Sequence, residues 1–112
     1  MSGQEARRVI LTTTDGVPGR EIAHCIGFVR GSTVRAKHIG SDIVAALRNL
    51  VGGEMREYAS LLAGAREQAI DRMVAEARAQ DADAVVAVRL ETSTITHAAT
   101  EVVAYGTAVK LA

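Results

Sequence analysis

A stripe of small and apolar side chains in the second half of the chain constrains the fold more than any other feature. Its members recur at alternating steps of three and four residues between about residues 54 and 80, which is the spacing of one helix face. They are Met55, Tyr58, Leu62, Ala65, Ala69, Met73 and Ala77. Because most positions in the second half of the stripe are Ala, another surface can approach closely, and we predict one long helix that packs on a sheet.

Four segments with a strand-like composition flank this helix, two before it and two after it. They are residues 8–14, 20–35, 84–96 and 99–111. His97-Ala98 is the predicted tip of a hairpin between the last two. The segment Val17-Pro18-Gly19-Arg20 carries Pro and Gly at the second and third positions of a type II turn. Glycines on one face of the second strand predict the close approach of another element, with an irregularity near Gly31-Ser32.

A second, shorter helix is predicted over residues 38–51, where apolar residues also recur at steps of three and four before Gly52-Gly53 ends the pattern. The element order is then β-β-α-α-β-β. This order predicts a two-layer α+β domain, with an antiparallel sheet and helices on one of its faces. In the long helix Arg72 and Glu76 are four residues apart, and we expect them to pair weakly.

The composition excludes several classes of function. Thirteen basic residues balance thirteen acidic ones, and aromatic residues make up 3% of the chain. A nucleic-acid-binding protein usually has a basic excess, and single-strand binding needs aromatic stacking platforms. No apolar stretch approaches the roughly 20 residues of a membrane-spanning helix, no signal peptide is readable, and one cysteine forms no internal disulfide. We therefore expect a cytoplasmic protein that binds neither nucleic acid nor membrane.

The few aromatic residues also bear on assembly. Aromatic side chains bury the largest area per residue, so a small core of Ala, Val, Ile and Leu gains less from packing. Such a chain can recruit further buried surface by self-association.

No motif in the sequence predicts catalysis or a closed metal site. Zinc sites use about four Cys or His residues in close pairs, and that spacing is missing here. The possible soft ligands are Cys25, His24, His38 and His97. Cys25 and His24 are neighbours, but adjacent strand residues point to opposite faces. No nucleophile, base and orienting group can be assembled from the spacing, so we predict no enzyme. Gly31-Ser32-Thr33 beside Arg30 and Arg35 offers groups that could hold a phosphate, but a structural role is the simpler interpretation.

Several short motifs follow one another in order along most of the chain. They are TTTDGVPG at residues 12–19, RGSTVR at 30–35, NLVGGE at 49–54, Tyr58, ARE at 65–67, ADAVV at 82–86 and AYGTAV at 104–109. In this combination the sequence resembles the YbjQ-like family, whose members carry the label of heavy-metal-binding domains. The resemblance covers residues 9–112 and leaves residues 1–8 as an N-terminal tail. At residues 36–38 Ala-Lys-His replaces the Ser-Arg-Asn that is common in the family, so His38 is not carried over as a ligand.

The resemblance implies a dodecin-like two-layer α+β fold and assembly into a homopentameric ring. No reaction and no fixed set of ligand residues is assigned to the family. Two hypotheses follow: an oligomeric module that binds a divalent heavy-metal ion or another small ligand, and a structural or protein-interaction ring without a small ligand. The candidate residues for ligand binding or subunit contact are Thr13, Thr14, Arg30, Ser32, Arg35, Glu54 and Tyr58. We expect Arg35 and Glu54, which have opposite charges, to pair across subunits.

Overall fold

The computed structural model describes residues 8–36, 53–96 and 99–112 of the chain. The described part contains one helix and four strands in a single sheet. The elements are β1 (Ile10–Leu11), β2 (Ile22–Ala36), α1 (Gly53–Ala79), β3 (Ala84–Thr96) and β4 (Ala99–Leu111). The strand order is β1-β3-β4-β2. The helix expected over residues 38–51 and the hairpin tip at His97-Ala98 lie outside the described residues.

The long elements agree closely with the sequence prediction. Helix α1 begins one residue before the predicted position, and β3 and β4 have the predicted bounds. The predicted turn is also present, because the amide of Arg20 donates a 3.0 Å hydrogen bond to the carbonyl of Val17. Gly19 has a φ of +78°, as the third position of a type II turn requires.

The first strand is much shorter than the β-branched segment at residues 8–14 predicts, since β1 contains only Ile10 and Leu11. The following threonines bond locally. The amide of Thr14 donates to Oγ1 of Thr12 at 3.1 Å, and the two hydroxyls lie 2.6 Å apart. Their backbone still bonds to β3, since the amide of Val88 donates to the carbonyl of Thr12. The regular ladder ends where β3 has a register shift between Val86 and Arg89.

The sheet is mixed, which corrects the prediction of a wholly antiparallel sheet. β4 pairs antiparallel with both β2 and β3, whereas β1 runs parallel to β3. A parallel pair requires a long crossover connection, and here the chain passes through β2 and α1 between its two members. The neighbour of β1 is therefore set by tertiary packing, which local sequence does not encode.

The predicted stripe of α1 forms the core. Ala65, Ala69, Met73 and Ala77 are fully buried together with sheet residues such as Val29. The closest approach is at Gly31, where an added Cβ would overlap the backbone nitrogen of Met73 and the backbone oxygen of Ala69. Small residues on the helix and a glycine on the strand therefore bring two backbones together.

The irregularities of β2 lie earlier than expected. Register shifts occur between Ile22 and His24 and between Cys25 and Gly27, whereas the ladder around Gly31 and Ser32 is continuous. Gly27 has a φ of +140°, which glycine adopts readily and other residues rarely do. The second bulge changes the alternation of faces, so Ile26 packs against the core although Phe28 is exposed.

A second, smaller group of buried side chains, Ala84, Val86 and Val109, lies where β3 begins and β4 ends. Val17 and Leu111 pack against it. In the described residues, α1 is not long and apolar enough to cross a membrane.

Candidate functional site

The face of the sheet turned away from α1 carries a band of polar and aromatic side chains. Burial alternates along β4: Val102, Ala104 and Gly106 are buried, while the residues between them are only partly covered. Their cross-strand partners in β2 and β3 extend this surface, which we call the outer face. It consists of Phe28, Arg30, Ser32, Val34, Arg89, Glu91, Ser93, Glu101, Val103, Tyr105 and Thr107.

Two arginines flank a tyrosine in the middle of the outer face. Tyr105 lies directly opposite Arg30 of β2 on one side and Arg89 of β3 on the other. Neighbouring strands are about 4.8 Å apart, so the three side chains form one row across the sheet. The row places two arginines on either side of one tyrosine and combines residues about 75 positions apart in the sequence.

Tyr105 is held by its neighbours on the same face. Its hydroxyl donates a 3.0 Å hydrogen bond to Oε2 of Glu91. Its ring centroid lies 6.2 Å from that of Phe28, with an angle of 39° between the ring planes. The hydrogen bond to Glu91 raises the pKa of Tyr105 above its usual value of 10.0, because the bond favours the protonated phenol and the nearby carboxylate repels the phenolate. The hydroxyl therefore stays a hydrogen-bond donor across the physiological range.

The threonine loop after β1 is fixed beside this row. Nη1 of Arg89 donates to the carbonyl of Thr13 at 3.0 Å and to its neighbour Val88 at 2.9 Å. The amide of Ala87 donates to the carbonyl of Thr14 at 2.8 Å. Ala87 has a φ of +53°, which is uncommon for a residue with a side chain, and it lies in a register shift of β3. The bulge thus turns backbone donors toward the loop.

Some of the predicted site residues come together here and others do not. Arg30 and Ser32 lie on the outer face, and Thr13 is attached to it through Arg89. Thr14 lies in the same loop, with its hydroxyl bonded to the carbonyl of Gly16. Side chains of Glu54 and Tyr58, both within α1, belong to the part of the chain that is not described, and so does the expected pairing of Glu54.

Arg35 lies away from this group, on the side of the sheet that faces α1. Its Nη2 donates to Oε1 of Gln68 at 3.1 Å and to the carbonyl of Gly64 at 3.4 Å. Thr33 donates to the same Gln68 oxygen at 2.6 Å, and Gly31 is buried beneath the helix. These contacts divide the phosphate cradle considered for Gly31-Ser32-Thr33, because the Thr33 hydroxyl bonds to α1 while the Ser32 side chain lies on the outer face.

The soft metal ligands remain separate from one another. Cys25 and His24 are both exposed, and their partners in β4 are the consecutive residues Val109 and Lys110. The two side chains therefore leave opposite faces of the sheet. Across residues 8–36, 53–96 and 99–112, no three side chains of His, Cys, Asp or Glu lie close enough to hold a metal ion.

Three residues of the site, Arg89, Glu91 and Tyr105, were not among the sequence candidates. The predicted hairpin gave a partial signal, since it placed β3 beside β4. The sequence did not predict the register of that pairing. An uninterrupted hairpin that pairs Thr96 with Ala99 would set Leu90 opposite Tyr105. A register shift between Thr94 and Thr96 puts Arg89 there instead.

Comparison with known proteins finds relatives that match nearly the whole length of this chain. A family model described as "Putative heavy-metal-binding" (YbjQ_1) matches residues 9–112. A UPF0145 protein of Archaeoglobus fulgidus is 53% identical over 105 residues, which cover 94% of this chain and 97% of that protein. A UPF0145 protein of Halobacterium salinarum is 54% identical over 100 residues, covering 89% of this chain and 96% of that protein.

A solved structure is similar in fold. It is the crystal structure of a protein of unknown function from the DUF74 family of Pediococcus pentosaceus, with a TM-score of 0.55 and 15% sequence identity. The match covers 93% of this chain and 98% of that one. With its sequence motifs, its α+β architecture and these relatives taken together, the chain is a member of the YbjQ-like (UPF0145) family.

Proposed function

We propose that this protein is a homo-oligomeric binding module that assembles into a ring, and that the outer face is a subunit contact surface. The observation that carries the proposal is the exposure of Phe28 and Val34, which are 61% and 55% accessible on that face. Tyr105, Arg30 and Arg89 lie beside them. Aromatic residues and arginine are enriched in protein–protein interfaces and dominate their binding energy. The family resemblance supports five subunits.

The composition of the core supports self-association as well. In the described residues the largest fully buried side chains are Met73 and four valines, while Phe28 remains exposed. A core of this kind gains little from each side chain, and burial of the outer face between copies would add to it. A hydrophobic side chain moved from water into an interface contributes about 1.5–3 kcal/mol when it is fully buried.

A heavy-metal ion is the ligand that the family description suggests. One subunit does not bring together a ligand set in its described residues, so the ion would be shared by several subunits. Cys25 and His24 are exposed and would supply soft ligands from each copy. The alternative is an interaction ring with no small ligand, which the exposed aromatic residue Phe28 on the outer face favours. The sequence spacing supports a binding role over a catalytic one, and the single cysteine supports a cytoplasmic location.

Native mass spectrometry of the untagged protein, purified without added metal or chelator, tests both parts. We expect a pentamer, and a monomer at micromolar concentration would overturn the proposal. Additional mass in stoichiometric amount would identify a bound ion or ligand. If the pentamer stays unliganded after challenge with zinc, copper and nickel, the interaction ring is correct. Cys25→Ser and His24→Ala are the matched variants, since loss of metal in either one assigns the ligand.

A further inference from the structure

The two long edges of the sheet differ in how their backbone groups are used. We propose that the outer edge of β3, over residues 89–95, is a strand-addition site for a second copy of this chain, whereas the outer edge of β2 is closed at Arg30 and Ser32. The inference rests on the proposed self-assembly and specifies where it takes place.

Side chains of α1 bond two of the backbone groups at the outer edge of β2. Oε1 of Glu76 accepts a 3.2 Å hydrogen bond from the amide of Arg30, and Nη1 of Arg72 donates a 2.6 Å hydrogen bond to the carbonyl of Ser32. These backbone groups point away from β4, where an added strand would bind. Towards its beginning, β2 contains two bulges. Bulges and charged side chains are the means by which edge strands resist pairing with other chains.

The edge of β3 is covered only at its beginning. β1 pairs with Ala84 and Val85, and the amides of Ala87 and Val88 donate to the threonine loop. Because strand residues alternate in direction, the N–H and C=O groups of Leu90, Thr92 and Thr94 point to the same side as those of Val88. Within the described residues no hydrogen bond reaches these six groups from outside the β3–β4 ladder.

The side chains of this segment are uncovered as well. Every residue from Arg89 to Thr96 is exposed, and Leu90 and Ile95 remain 42% and 56% accessible. Ordering the backbone costs roughly 1–2 kcal/mol per residue, and little burial offsets it here. Residues 92–95, Thr-Ser-Thr-Ile, have high β-propensity and no charge, a composition that promotes pairing with another strand. An extended strand with both faces and one edge uncovered requires a partner.

A second copy of the chain fits the edge better than a charged partner does. The segment carries one cation, Arg89, and one anion, Glu91, and the whole chain has a net charge of zero. A strongly acidic or basic partner would therefore gain no electrostatic complementarity. An odd-numbered ring is built from head-to-tail contacts, so the strand that pairs with this edge is a segment of the neighbour other than β3.

Proline substitution tests the backbone groups of the edge separately from its side chains. Thr92→Pro removes an amide that points to the open edge and spares the ladder to β4, as proline does on edge strands. Thr92→Val keeps the amide and the branched side chain. Ala23→Pro places the same change at a bulge on the closed edge. We expect Thr92→Pro to raise the subunit dissociation constant by about tenfold or more through the lost hydrogen bond and local strain, whereas the other two variants retain assembly.

Site-resolved hydrogen–deuterium exchange provides the second measurement. In the assembled wild-type protein the amides of Leu90, Thr92 and Thr94 should exchange slowly, and dilution to the dissociated form should make them exchange fast. If the wild-type protein assembles but these amides exchange fast, or if Thr92→Pro assembles as wild type does, the edge is not the contact. Dissociation of Thr92→Val would also overturn the proposal, since its backbone is intact. A wild-type monomer would instead refute the proposed self-assembly itself.

Discussion

The hydroxyl of Tyr105 donates its hydrogen bond to Glu91 diagonally across the β3–β4 ladder, two residues beyond its directly opposite partner Arg89. Tyr105 therefore bonds to a carboxylate of the strand on which its directly opposite partner is an arginine. Diagonal neighbours in a sheet lie about 7–8 Å apart at their Cα atoms, a separation that a long tyrosine side chain can span. This arrangement gives the outer face a fixed donor and leads to the first prediction.

Loss of the Glu91 carboxylate should lower the pKa of Tyr105. In Glu91→Ala both the hydrogen bond and the repulsion of the phenolate disappear, so the raised pKa should return toward 10.0. Ultraviolet titration of the phenolate in a Tyr58→Phe background isolates this residue, because the chain has two tyrosines. Glu101→Ala is the matched control on the same face and should leave the midpoint unchanged. Equal midpoints in all variants would show that the Glu91 contact does not form in solution.

The raised pKa of Tyr105 also predicts how the stability of the fold changes with pH. The pKa of Tyr105 is raised in the folded protein, so the protonated phenol is favoured by folding. Its stabilising contribution is fully present below the unfolded pKa near 10 and is lost as pH rises through the folded value. Chemical unfolding from pH 8 to pH 11 should show a steeper loss of stability above pH 10 in the wild-type protein than in Tyr105→Phe. Parallel curves would contradict this linkage.

A side chain at Gly31 should destabilise the fold. An added Cβ would overlap the backbone of α1 at Ala69 and Met73, and backbone cannot move aside as a flexible side chain can. We expect Gly31→Ala to lower the free energy of unfolding by about 2–3 kcal/mol, as overpacking of a core does. Gly16→Ala is the control, because no atom lies within 4 Å of the added Cβ. Chemical unfolding at one fixed subunit concentration measures both, and equal stabilities would argue against this helix–sheet contact.

Removing the charged residues that close the edge of β2 should produce further association. Arg72→Ala and Glu76→Ala each free one backbone group of β2 and should cost about 1 kcal/mol in stability. The exposed edge of the double variant should then recruit further chains. Light scattering should detect species larger than the wild-type assembly. Glu67→Ala, an exposed residue of the same helix, should behave as wild type; an unchanged size of the double variant would show that this edge is closed by other means.

The aromatic ring of Phe28 should contribute to assembly. Phe28→Ser removes exposed apolar surface from the outer face, whereas Phe28→Tyr keeps the ring. Because the side chain is already exposed in the subunit, the stability of the subunit fold should change little. The contact between subunits should weaken by about 1–3 kcal/mol, which sedimentation across a concentration series measures. An unchanged dissociation constant for Phe28→Ser would place the subunit contact elsewhere.

Local sequence patterns were sufficient for the long elements among the described residues of this fold. The alternating steps of three and four residues predicted α1 and its buried Ala65, Ala69 and Met73, because helical periodicity depends only on neighbours within two turns. Strands β3 and β4 and the turn at Val17–Arg20 follow from composition and from the fixed dihedral angles of Pro and Gly. The candidates Arg30, Ser32 and Thr13 were predicted as site residues, but no local pattern grouped them.

Tertiary structure determined which of these residues meet. A register shift between Thr94 and Thr96 places Arg89 rather than Leu90 opposite Tyr105, and a one-residue shift moves every side chain of a strand to the other face. The same dependence on packing put Arg35 against α1 and made β1 parallel to β3. Periodicity repeats within one segment and can therefore be predicted from the sequence. Register and bulges depend on contacts between segments far apart in the chain, so they are fixed only when the helix and the sheet pack together.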